Sequence, residues 1–388
     1  MKDDSDGTNG ASPPPRRRRP RYVGTHPRRF GEKYKELAPA RFPEEREKVL
    51  ASGKTPAGSH VPVLVAEVLE ALSPKPGDLA VDATLGYGGH ASEILKRILP
   101  GGRLLAMDVD PVELPKAAAR LETLAAQIGA AEVARIVKTF KRNYAGLRKL
   151  LDTEDLAKGA DVILADLGVS SMQLDDPERG FSWKRDAPLD LRMNPARGQP
   201  ASVLLERMKK EEIEDLLRRL GDEPEAAGIA RALVATMEKG RAAPPQETRE
   251  PRRGDLPLPL LRNLLRTSDV AAAVESAYQG QKGPRASEAK SSSLSRTFQA
   301  IRILVNDELA ALEAFLRDLP FCLAPGGRAA ILTFHSGEDR LVKKAFAAGL
   351  ASGTYAEVSR EVVRASPEER RANPRSQPAK LRRALRAG

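Results

Sequence analysis

The sequence predicts an α/β fold in which a mostly parallel, Rossmann-like sheet is interrupted by a helical insert. Residues 80–110 read as strand, glycine turn, helix and strand, and apolar strands then alternate with helical segments as far as Asp166. Such alternation is typical of a parallel sheet covered by helices on both faces. From residue 175 to residue 293 only helical periodicity remains, as in EEIEDLLRRL, before strand sequence resumes.

A glycine turn follows the first strand and marks a candidate ligand pocket. Gly86, Gly88 and Gly89 precede a predicted helix, and Asp108 closes the next strand 20 residues after Gly88. Glycines let the backbone approach a ligand closely, and a carboxylate at this separation can accept hydrogen bonds from a ribose diol. A nicotinamide dinucleotide and S-adenosylmethionine both satisfy the pattern, and so does a plain tight turn.

Apolar runs predict the other elements of the sheet. The predicted strands after the first are Leu104–Met107, Val133–Val137, Asp161–Asp166 and Ala329–Phe334, and the predicted helices include Glu113–Ile128 and one long helix from Thr297 to Leu319. Residues 279–293 are rich in Pro, Gly and Ser and are interpreted as a loop. Because ligands of parallel sheets lie beyond the carboxyl ends of the strands, Asp108 and Asp166 are both expected at the ligand site.

Composition excludes several classes of protein. The chain has 388 residues and 41% hydrophobic content, enough for about two to three folding units with a buried core. No apolar run approaches the ~20 residues that span a bilayer, and no signal-peptide core is present, so we expect a cytoplasmic protein without membrane contact. One cysteine and four scattered histidines predict neither a disulfide nor a metal site.

The net charge of +11 predicts a polyanionic partner. The segment Arg16–Lys35 contains seven arginines, two lysines and one acid, and the last eighteen residues contain six basic residues and no acid. Neither segment has the apolar stripe of a membrane-lying helix, so nucleic acid is the preferred partner. Residues 1–57 have few apolar positions and are expected to form a basic, disordered extension.

Several ordered motifs resemble one known family. HVPVL (60–64), GYGGH (86–90), DVDP (108–111), ADLGVSSMQLDDPERGFSW (165–183) and DAPLDLRMNP (186–195) are similar to segments of the bacterial small-subunit (16S) rRNA cytosine-N4 methyltransferases, the H-type or MraW-like family. RTFQAIRILVNDEL (296–309), LAPGGR (323–328), FHSGEDR (334–340) and NPRSQPAKLR (373–382) continue the resemblance in the same order. The resemblance is far more specific than the glycine turn.

The resemblance implies a class I S-adenosylmethionine-dependent methyltransferase with an inserted helical domain. Residues 58–175 and 294–388 are expected to form the methyltransferase domain, and residues 176–293 the helical domain that recognises the substrate. The implied reaction methylates the exocyclic N4 amine of a cytidine in small-subunit rRNA near the decoding site. The implied partner is this rRNA within an assembled or assembling small ribosomal subunit.

The same motifs imply the cofactor ligands. The residues carried over are Gly88, Gly89, His90, Asp108, Tyr144, Asp166 and Gln173. Tyr144 stands where the family usually has phenylalanine, and Phe140 is the competing choice for an aromatic ring beside adenine. For either ring, ordinary core packing is an equal alternative.

Three residues are candidates for catalysis: Asp166, Ser170 and His335. Asp166 ends a predicted strand, where amine methyltransferases of this fold keep an acceptor for the NH₂ group. Ser170 would shape the pocket, with turn chemistry as an equal alternative. His335 would contact a flipped base, although a hydrogen-bonded structural histidine is the commoner role.

Four further residues carry weaker hypotheses. Trp183, the only tryptophan, could stack on a base, but core packing of the insert is the favoured interpretation. Gln299, Arg302 and Asn306 share one polar helix face that suits RNA phosphate or cofactor contact, although such a face is commonly only solvated.

Other classes of function stay open at this point. A nicotinamide oxidoreductase is favoured only by the glycine pattern. A DNA amine methyltransferase shares the cofactor and the fold, but its Asp-Pro-Pro-Tyr type of motif is absent from the chain. A noncatalytic rRNA-binding assembly factor would keep the fold with a relic pocket.

Overall fold

The computed structural model describes residues 62–129, 132–242, 265–281 and 283–388. The basic extension expected at residues 1–57, which includes Arg16–Lys35, lies outside these described residues. None of the helices within the described ranges is both long enough and apolar enough to cross a membrane.

Strands and helices alternate from residue 65 to residue 166, as the sequence predicts. The elements are α1 (Val65–Leu72), β1 (Leu79–Asp82), α2 (Gly89–Ile98), β2 (Arg103–Asp108), α3 (Leu114–Gln127), α4 (Val133–Ile136), β3 (Val137–Lys141), α5 (Leu147–Thr153) and β4 (Ala160–Asp166). In α2 the residues Ile94, Leu95 and Ile98 recur at helical spacing and are all buried, which explains why this segment packs as a helix.

The position of the third strand was predicted wrongly. Residues Val133–Ile136 form α4, and the strand is Val137–Lys141. Pairing with β2 sets the register, because Leu104 lies opposite Val137 and Asp108 lies opposite Lys141. A short apolar run does not distinguish a helix from a strand by its periodicity alone.

Helices and loops make up the described residues between 171 and 322. The helices are α6 (Ser171–Asp175), α7 (Ala201–Glu206), α8 (Lys210–Gly221), α9 (Ala226–Ala242), α10 (Thr267–Ala277), α11 (Pro284–Asn306) and α12 (Glu308–Cys322). Helices α7 to α11 contribute to one hydrophobic cluster, which includes Leu205, Ile213, Ile229, Val274 and Phe298. The predicted domain boundary at residue 293 stays a prediction, and α11 runs through it.

Two other predictions for this region are wrong. Residues 279–293 are not a loop throughout, because α11 begins at Pro284, where the fixed φ of proline suits a first helical turn. The single helix predicted from Thr297 to Leu319 is divided at Asp307, whose φ is 51°. Aspartate tolerates this left-handed conformation better than most residues, so the chain can turn between two helices there.

The carboxyl-terminal part of the chain completes the sheet. Its elements are β5 (Leu323–Thr333), α13 (Ser336–Ala351), β6 (Tyr355–Val358), α14 (Pro367–Ala372) and β7 (Lys380–Arg386). The strand order is β3-β2-β1-β4-β5-β7-β6, and only β7 runs antiparallel to its neighbours. This mostly parallel sheet confirms the predicted Rossmann-like α/β fold.

The basic carboxyl-terminal residues lie in and beside the sheet. Arg382 and Lys380 pair with Asp339 at 2.6 and 3.3 Å, and Arg383 pairs with Glu357. The sequence shows these basic residues clustered together, but their acidic partners lie elsewhere in the chain. The segment therefore offers less free positive charge than its sequence indicates.

Two hydrophobic clusters cover the two faces of the sheet. Along β4, Val162 and Leu164 belong to one cluster, whereas Ile163 and Ala165 belong to the other. Successive side chains of a strand point to opposite faces, so a continuous apolar run fills both layers. The strands are thereby fixed in position, and their carboxyl ends meet at one edge of the sheet.

Gly159, which leads into β4, provides a test of this packing. Its φ is +86°, and a Cβ there would collide with the main chain of Leu323, whereas a Cβ at Gly77, with a φ of +91°, would meet nothing within 4 Å. Both substitutions by alanine incur left-handed strain of about 1–2 kcal/mol. We expect Gly159→Ala to lower the free energy of unfolding by about 2 kcal/mol more than Gly77→Ala, because it adds a backbone clash. Urea unfolding followed by circular dichroism measures the difference, and equal losses would contradict this packing.

Candidate active site

A cavity of about 1080 Å³ opens at the carboxyl edge of the parallel strands. Asp82, Asp108 and Asp166 end β1, β2 and β4, and all three line this cavity. Parallel strands end at the same edge of a sheet, and ligands of such sheets bind there. The cavity also reaches the helical region, since Trp183 and Phe298 belong to its wall.

The structure brings most of the predicted site residues together in this cavity. Those that line it are Gly89, His90, Asp108, Tyr144, Asp166, Ser170, Gln173 and His335. Gly88 is not among the described residues that line the cavity. Its φ is +85°, and a Cβ there would lie 3.8 Å from side-chain atoms of Ala117 and Leu121 in α3. Gly88 therefore forms the turn between strand and helix. The roles of these residues as ligands stay predictions.

The glycine turn is held close to the end of β2. Gly86 N–H donates to Asp108 Oδ2 at 2.7 Å, and Asp110 N–H donates to Asp108 Oδ1 at 2.9 Å. A Cβ at Gly89 would lie 2.7 Å from Pro62 Cγ, so glycine is the residue that fits there. The absence of side chains at Gly86 and Gly89 lets the main chain of the turn come close to the cavity.

Of the two aromatic candidates, Tyr144 lines the described cavity and Phe140 does not. The Tyr144 hydroxyl donates to Glu308 O at 3.3 Å, and its ring meets Phe315 edge-on with centroids 5.4 Å apart. Both rings also pack against the same hydrophobic cluster on one face of the sheet. The geometry therefore favours Tyr144 between the two aromatic candidates.

Asp166 is a half-buried residue whose Oδ1 atom is shielded from solvent. Its Oδ2 lies 3.6 Å from His90 Nε2, and within the described residues neither Asp166 Oδ1 nor His90 Nε2 has a hydrogen-bond partner. Removal from water, reinforced by the charges of Asp82 and Glu338, raises the pKa of Asp166 to about 8. Burial lowers the pKa of His90 to about 4. At neutral pH both groups are mainly uncharged, so their proximity is not a salt bridge.

The pKa of Asp82, like that of Asp166, is raised by burial. Burial raises the pKa of Asp82 to about 7, and the charge of Asp108 adds to the rise while the Thr84 N–H opposes it. Thr84 links the two strand ends, because its hydroxyl oxygen accepts a hydrogen bond from Asp166 N–H at 2.6 Å. The edge therefore holds two carboxyl groups that become ionised near neutral pH.

Ser170 and Gln173 cap the short helix α6. The Ser170 hydroxyl oxygen accepts from Gln173 N–H at 3.3 Å, and Gln173 Oε1 accepts from Ser170 N–H at 2.9 Å. This reciprocal capping box gives Ser170 the turn role that was the alternative in the sequence. Gln173 Nε2 donates to Asp110 Oδ2 at 2.8 Å.

A buried ion pair joins this loop to the helical region. Arg179 Nη1 lies 2.9 Å from Asp110 Oδ2, and Arg179 Nη2 donates to the carbonyl oxygens of Arg192 and Met193 at 3.1 and 2.9 Å. Asp110 is only 1% exposed, so its charge needs this partner. Arg179 thus ties the loop that follows β2 to residues 192–193.

Asn306 holds the same segment from the opposite side. Its Oδ1 accepts from Met193 N–H at 2.7 Å, and its Nδ2 donates to Leu191 O at 2.8 Å. Leu191, in the segment that Arg179 and Asn306 hold, has a φ of 61°, a conformation that bulky residues rarely adopt. The hydrogen bonds from Arg179 and Asn306 keep this strained residue in the cavity wall.

The polar face predicted on the long helix has internal partners. Arg302 pairs with Glu308 through two hydrogen bonds of 2.8 and 3.0 Å, and Gln299 Nε2 donates to Leu220 O at 3.3 Å. Asn306 forms the hydrogen bonds described above. These contacts stabilise the cavity wall and leave the Arg302 charge neutralised.

His335 lies where β5 leads into α13. Its Nδ1 accepts from Glu338 N–H at 3.4 Å, which leaves Nε2 as the N–H of the ring. Glu338 Oε1 lies 3.1 Å from Nε2, so the two buried side chains contact each other as an ion pair. Both residues line the cavity.

Sequence reasoning missed four residues of this site: Asp82, Thr84, Asp110 and Arg179. Asp82 ends β1 as Asp108 and Asp166 end their strands, so the rule that selected those two would also have selected it. Asp110 and Arg179 lie inside the quoted motifs, but no local pattern shows that they pair across 69 residues of chain.

Comparison with known proteins decides the family. The profile of the MraW methylase family matches residues 57–387. This chain belongs to the MraW methylase family. It is 43% identical over 375 residues to ribosomal RNA small subunit methyltransferase H 1 of Lachnoclostridium phytofermentans, and the match covers 96% of this chain and 94% of that protein.

Other relatives of this MraW methylase have the same kind of name. Ribosomal RNA small subunit methyltransferase H 2 of Alkaliphilus metalliredigens is 42% identical, with 96% of this chain and 98% of that protein covered. Ribosomal RNA small subunit methyltransferase H of Anaeromyxobacter dehalogenans is 40% identical, with 83% and 96% covered. Family membership confirms the predicted enzyme class and cofactor: the chain is a class I methyltransferase that uses S-adenosylmethionine.

The carboxyl edge of this MraW methylase fits S-adenosylmethionine. Asp108, Gly89 and Tyr144 line the cavity, where the Asp108 carboxylate would hold the ribose, the Gly89 main chain would approach the cofactor, and the Tyr144 ring would lie beside adenine. Asp166 Oδ1 is a buried polar atom without a partner in the described ranges, as expected for a group that awaits a ligand. When bound, the cofactor supplies an activated methyl group on a positively charged sulfonium.

Cofactor affinity is expected to depend on pH through Asp166. Its raised pKa means that the proton is retained up to about pH 8, and a nearby positive ligand favours the ionised form. The Kd of S-adenosylmethionine should therefore fall as pH rises from about 6 to about 8, by at most about tenfold per pH unit, and level off above pH 8. Isothermal titration calorimetry of the full chain measures this dependence.

The neutral product S-adenosylhomocysteine is the matched ligand control. Its Kd should change less over the same pH range because it lacks the sulfonium charge. Asp166→Asn should remove most of the difference between the two ligands. Parallel pH profiles in the wild-type chain would show that Asp166 does not sense the sulfonium.

Arg179 is expected to act on both stability and turnover. Arg179→Met leaves Asp110 buried without its cation and releases residues 192–193, so the free energy of unfolding should fall by about 3–5 kcal/mol. The kcat of methyl transfer should fall at least about tenfold, the equivalent of about 1.4 kcal/mol in barrier. Arg382→Met is the control, because it also breaks a nearly buried ion pair but lies away from the cavity. An equal kcat for the two variants, measured where both are folded, would refute the positioning role of Arg179.

Proposed function

We propose that this MraW methylase transfers a methyl group from S-adenosylmethionine to the exocyclic N4 amine of a cytidine in small-subunit rRNA, near the decoding site. The observation that carries the proposal is Asp166, whose buried Oδ1 has no partner among the described residues and which lines the cavity at the end of β4. The relatives at 40–43% identity are named as small-subunit rRNA methyltransferases.

Asp166 suits the chemistry of an exocyclic amine. The lone pair of cytosine N4 is delocalised into the ring, so the amine is a poor nucleophile until an acceptor binds one of its hydrogens. Asp166, once ionised, accepts that hydrogen bond and then takes the proton as the N4–methyl bond forms. A pKa of about 8 leaves the carboxylate basic enough to receive a proton near neutral pH.

His335 complements Asp166 in reading the base. His335 lines the cavity, and its Nε2–H is proposed to donate to N3 or O2 of cytosine, both of which are acceptors. Uracil has a carbonyl oxygen where cytosine has the amine, so ionised Asp166 would face another acceptor. This pair of groups supports preference for cytosine over uracil.

The helical region supports recognition of a folded RNA. Residues 176–293 are proposed as the substrate-recognition domain, because Phe181, Trp183 and Lys184 bring this region to the cavity that contains Asp166. A base stacked in rRNA must leave its stack to reach such a pocket. The substrate is proposed to be rRNA within an assembled or assembling small subunit, where neighbouring rRNA can hold the target strand.

The test is methyl transfer to small subunits from cells that lack the endogenous enzyme. The full chain is incubated with labelled S-adenosylmethionine and these subunits, and the rRNA is digested and its nucleosides are separated by mass. We expect N4-methylcytidine at one position near the decoding site. Label on another nucleoside, on naked DNA, or on no nucleic acid despite RNA binding would reject the proposal.

Variants separate Asp166 from the rest of the fold. Asp166→Asn is expected to lower kcat at least about a hundredfold, within the usual range for loss of a general base. Arg382→Met serves again as a folded control with normal kcat. Full activity of Asp166→Asn would remove Asp166 from the proposed chemistry.

A further inference from the structure

The cavity wall contains residues of the helical region as well as those predicted to bind the cofactor. Six of these residues are Phe181, Trp183, Lys184, Leu191, Met193 and Phe298. Together they combine aromatic and aliphatic side chains with one lysine. We define these six residues as the far wall.

Trp183 gives the far wall a flat, supported surface. Its ring centroid lies 5.4 Å from that of Phe298, with the planes tilted by 50°, and Phe298 is 3% exposed. Trp183 itself is only half-buried and lines the cavity. Trp183 packs against the hydrophobic cluster of the helical region, as the sequence predicted. It also borders the cavity, which the interpretation as a core residue did not include.

Hydrogen bonds hold the main chain of the far wall at Leu191 and Met193. Leu191 is held in its left-handed conformation by the Asn306 hydrogen bond to its carbonyl oxygen and by its own N–H bond to Arg179 O at 3.1 Å. Met193 is fixed through both its N–H and its carbonyl oxygen. A pre-formed wall loses little conformational entropy when a flat ligand binds against it.

Lys184 adds a solvent-exposed positive charge to the far wall. It is exposed, and no ion pair of Lys184 is found in the described ranges. An unpaired lysine beside an aromatic surface can contact a phosphate while the ring stacks on a base.

We propose that the far wall is a nucleotide subsite in which Trp183 stacks on an unstacked base of the RNA substrate while Lys184 contacts its phosphate. The proposal rests on the proposed function for the nature of the substrate. It assigns to Trp183 the binding of the strand and leaves the reading of the amine to Asp166. Stacking tolerates any base, so the subsite increases affinity without selecting the sequence.

Trp183 is the single tryptophan of the chain, so tryptophan fluorescence reports on this subsite alone. The probe is a fragment of small-subunit rRNA around the decoding site, titrated into the full chain with saturating S-adenosylhomocysteine to prevent turnover. We expect saturable quenching of Trp183 emission that follows binding measured by anisotropy of the labelled RNA. Binding of the fragment without any change in emission would overturn the subsite.

Kinetics on intact subunits supply an independent readout. Trp183→Leu should lower kcat/KM by roughly tenfold or more, mainly through KM, whereas Trp183→Phe keeps a stacking surface and should stay within about threefold. Phe321→Leu is the matched control, because Phe321 is 58% exposed and does not belong to the described cavity wall. Unchanged S-adenosylmethionine affinity in all three variants confirms that the cofactor end is intact.

The two proposals fail in different ways. If wild-type protein makes no N4-methylcytidine but Trp183 emission is quenched by rRNA, the subsite stands and the proposed methylation falls. If N4-methylcytidine is formed and Trp183→Leu retains the wild-type kcat/KM, the subsite falls and the proposed function stands.

Discussion

The site depends on the removal of carboxyl groups from water at the ends of neighbouring parallel strands. An ionised carboxylate is costly to bury, and proteins normally place a cation beside it. At the end of β1 the fold provides the Thr84 N–H instead, and burial raises the pKa values of Asp82 and Asp166 to near or above neutral. The hydrophobic layers on both faces of the sheet enforce this arrangement, because they fix where the strands end and keep water away. A positively charged ligand is then the natural group to complete the edge.

Two other buried acids in the same region, by contrast, are paired with arginines. Asp110 pairs with Arg179 at 2.9 Å and Glu308 pairs with Arg302 at 2.8 Å, and these pairs fix loops and helix ends. The contrast separates two kinds of acid in and around the cavity. Acids paired with arginine hold the walls in place, whereas Asp82 and Asp166 face the space where chemistry can occur, which is where perturbed pKa values usually gather. The division also explains why the walls stay rigid while the edge remains reactive.

The sequence predicted the architecture better than the details of the site. Strand ends such as Asp108 and Asp166 were found because apolar runs followed by a carboxylate are local signals. Local signals failed at Val133–Ile136, where periodicity is ambiguous, and at Asp307, where one left-handed residue divides a continuous apolar pattern. Arg179 and Asp110 could not be paired from sequence, since their contact depends on how a loop folds over the sheet. The raised pKa of Asp166 depends on burial by distant segments, which no motif records.

The insertion between β4 and β5 also has a consequence for how the chain folds. These strands pair directly, with Ala165 opposite Ile331, although the whole helical region separates them in sequence. Closing so long a loop costs entropy that the strand contacts recover only after they form, whereas helices such as α8 gain their contacts locally. We expect the helical region to order before β5 docks on β4. Until that late step His335 has no place at the cavity with Asp166, so the pocket is assembled last, after the helical region that forms part of its wall.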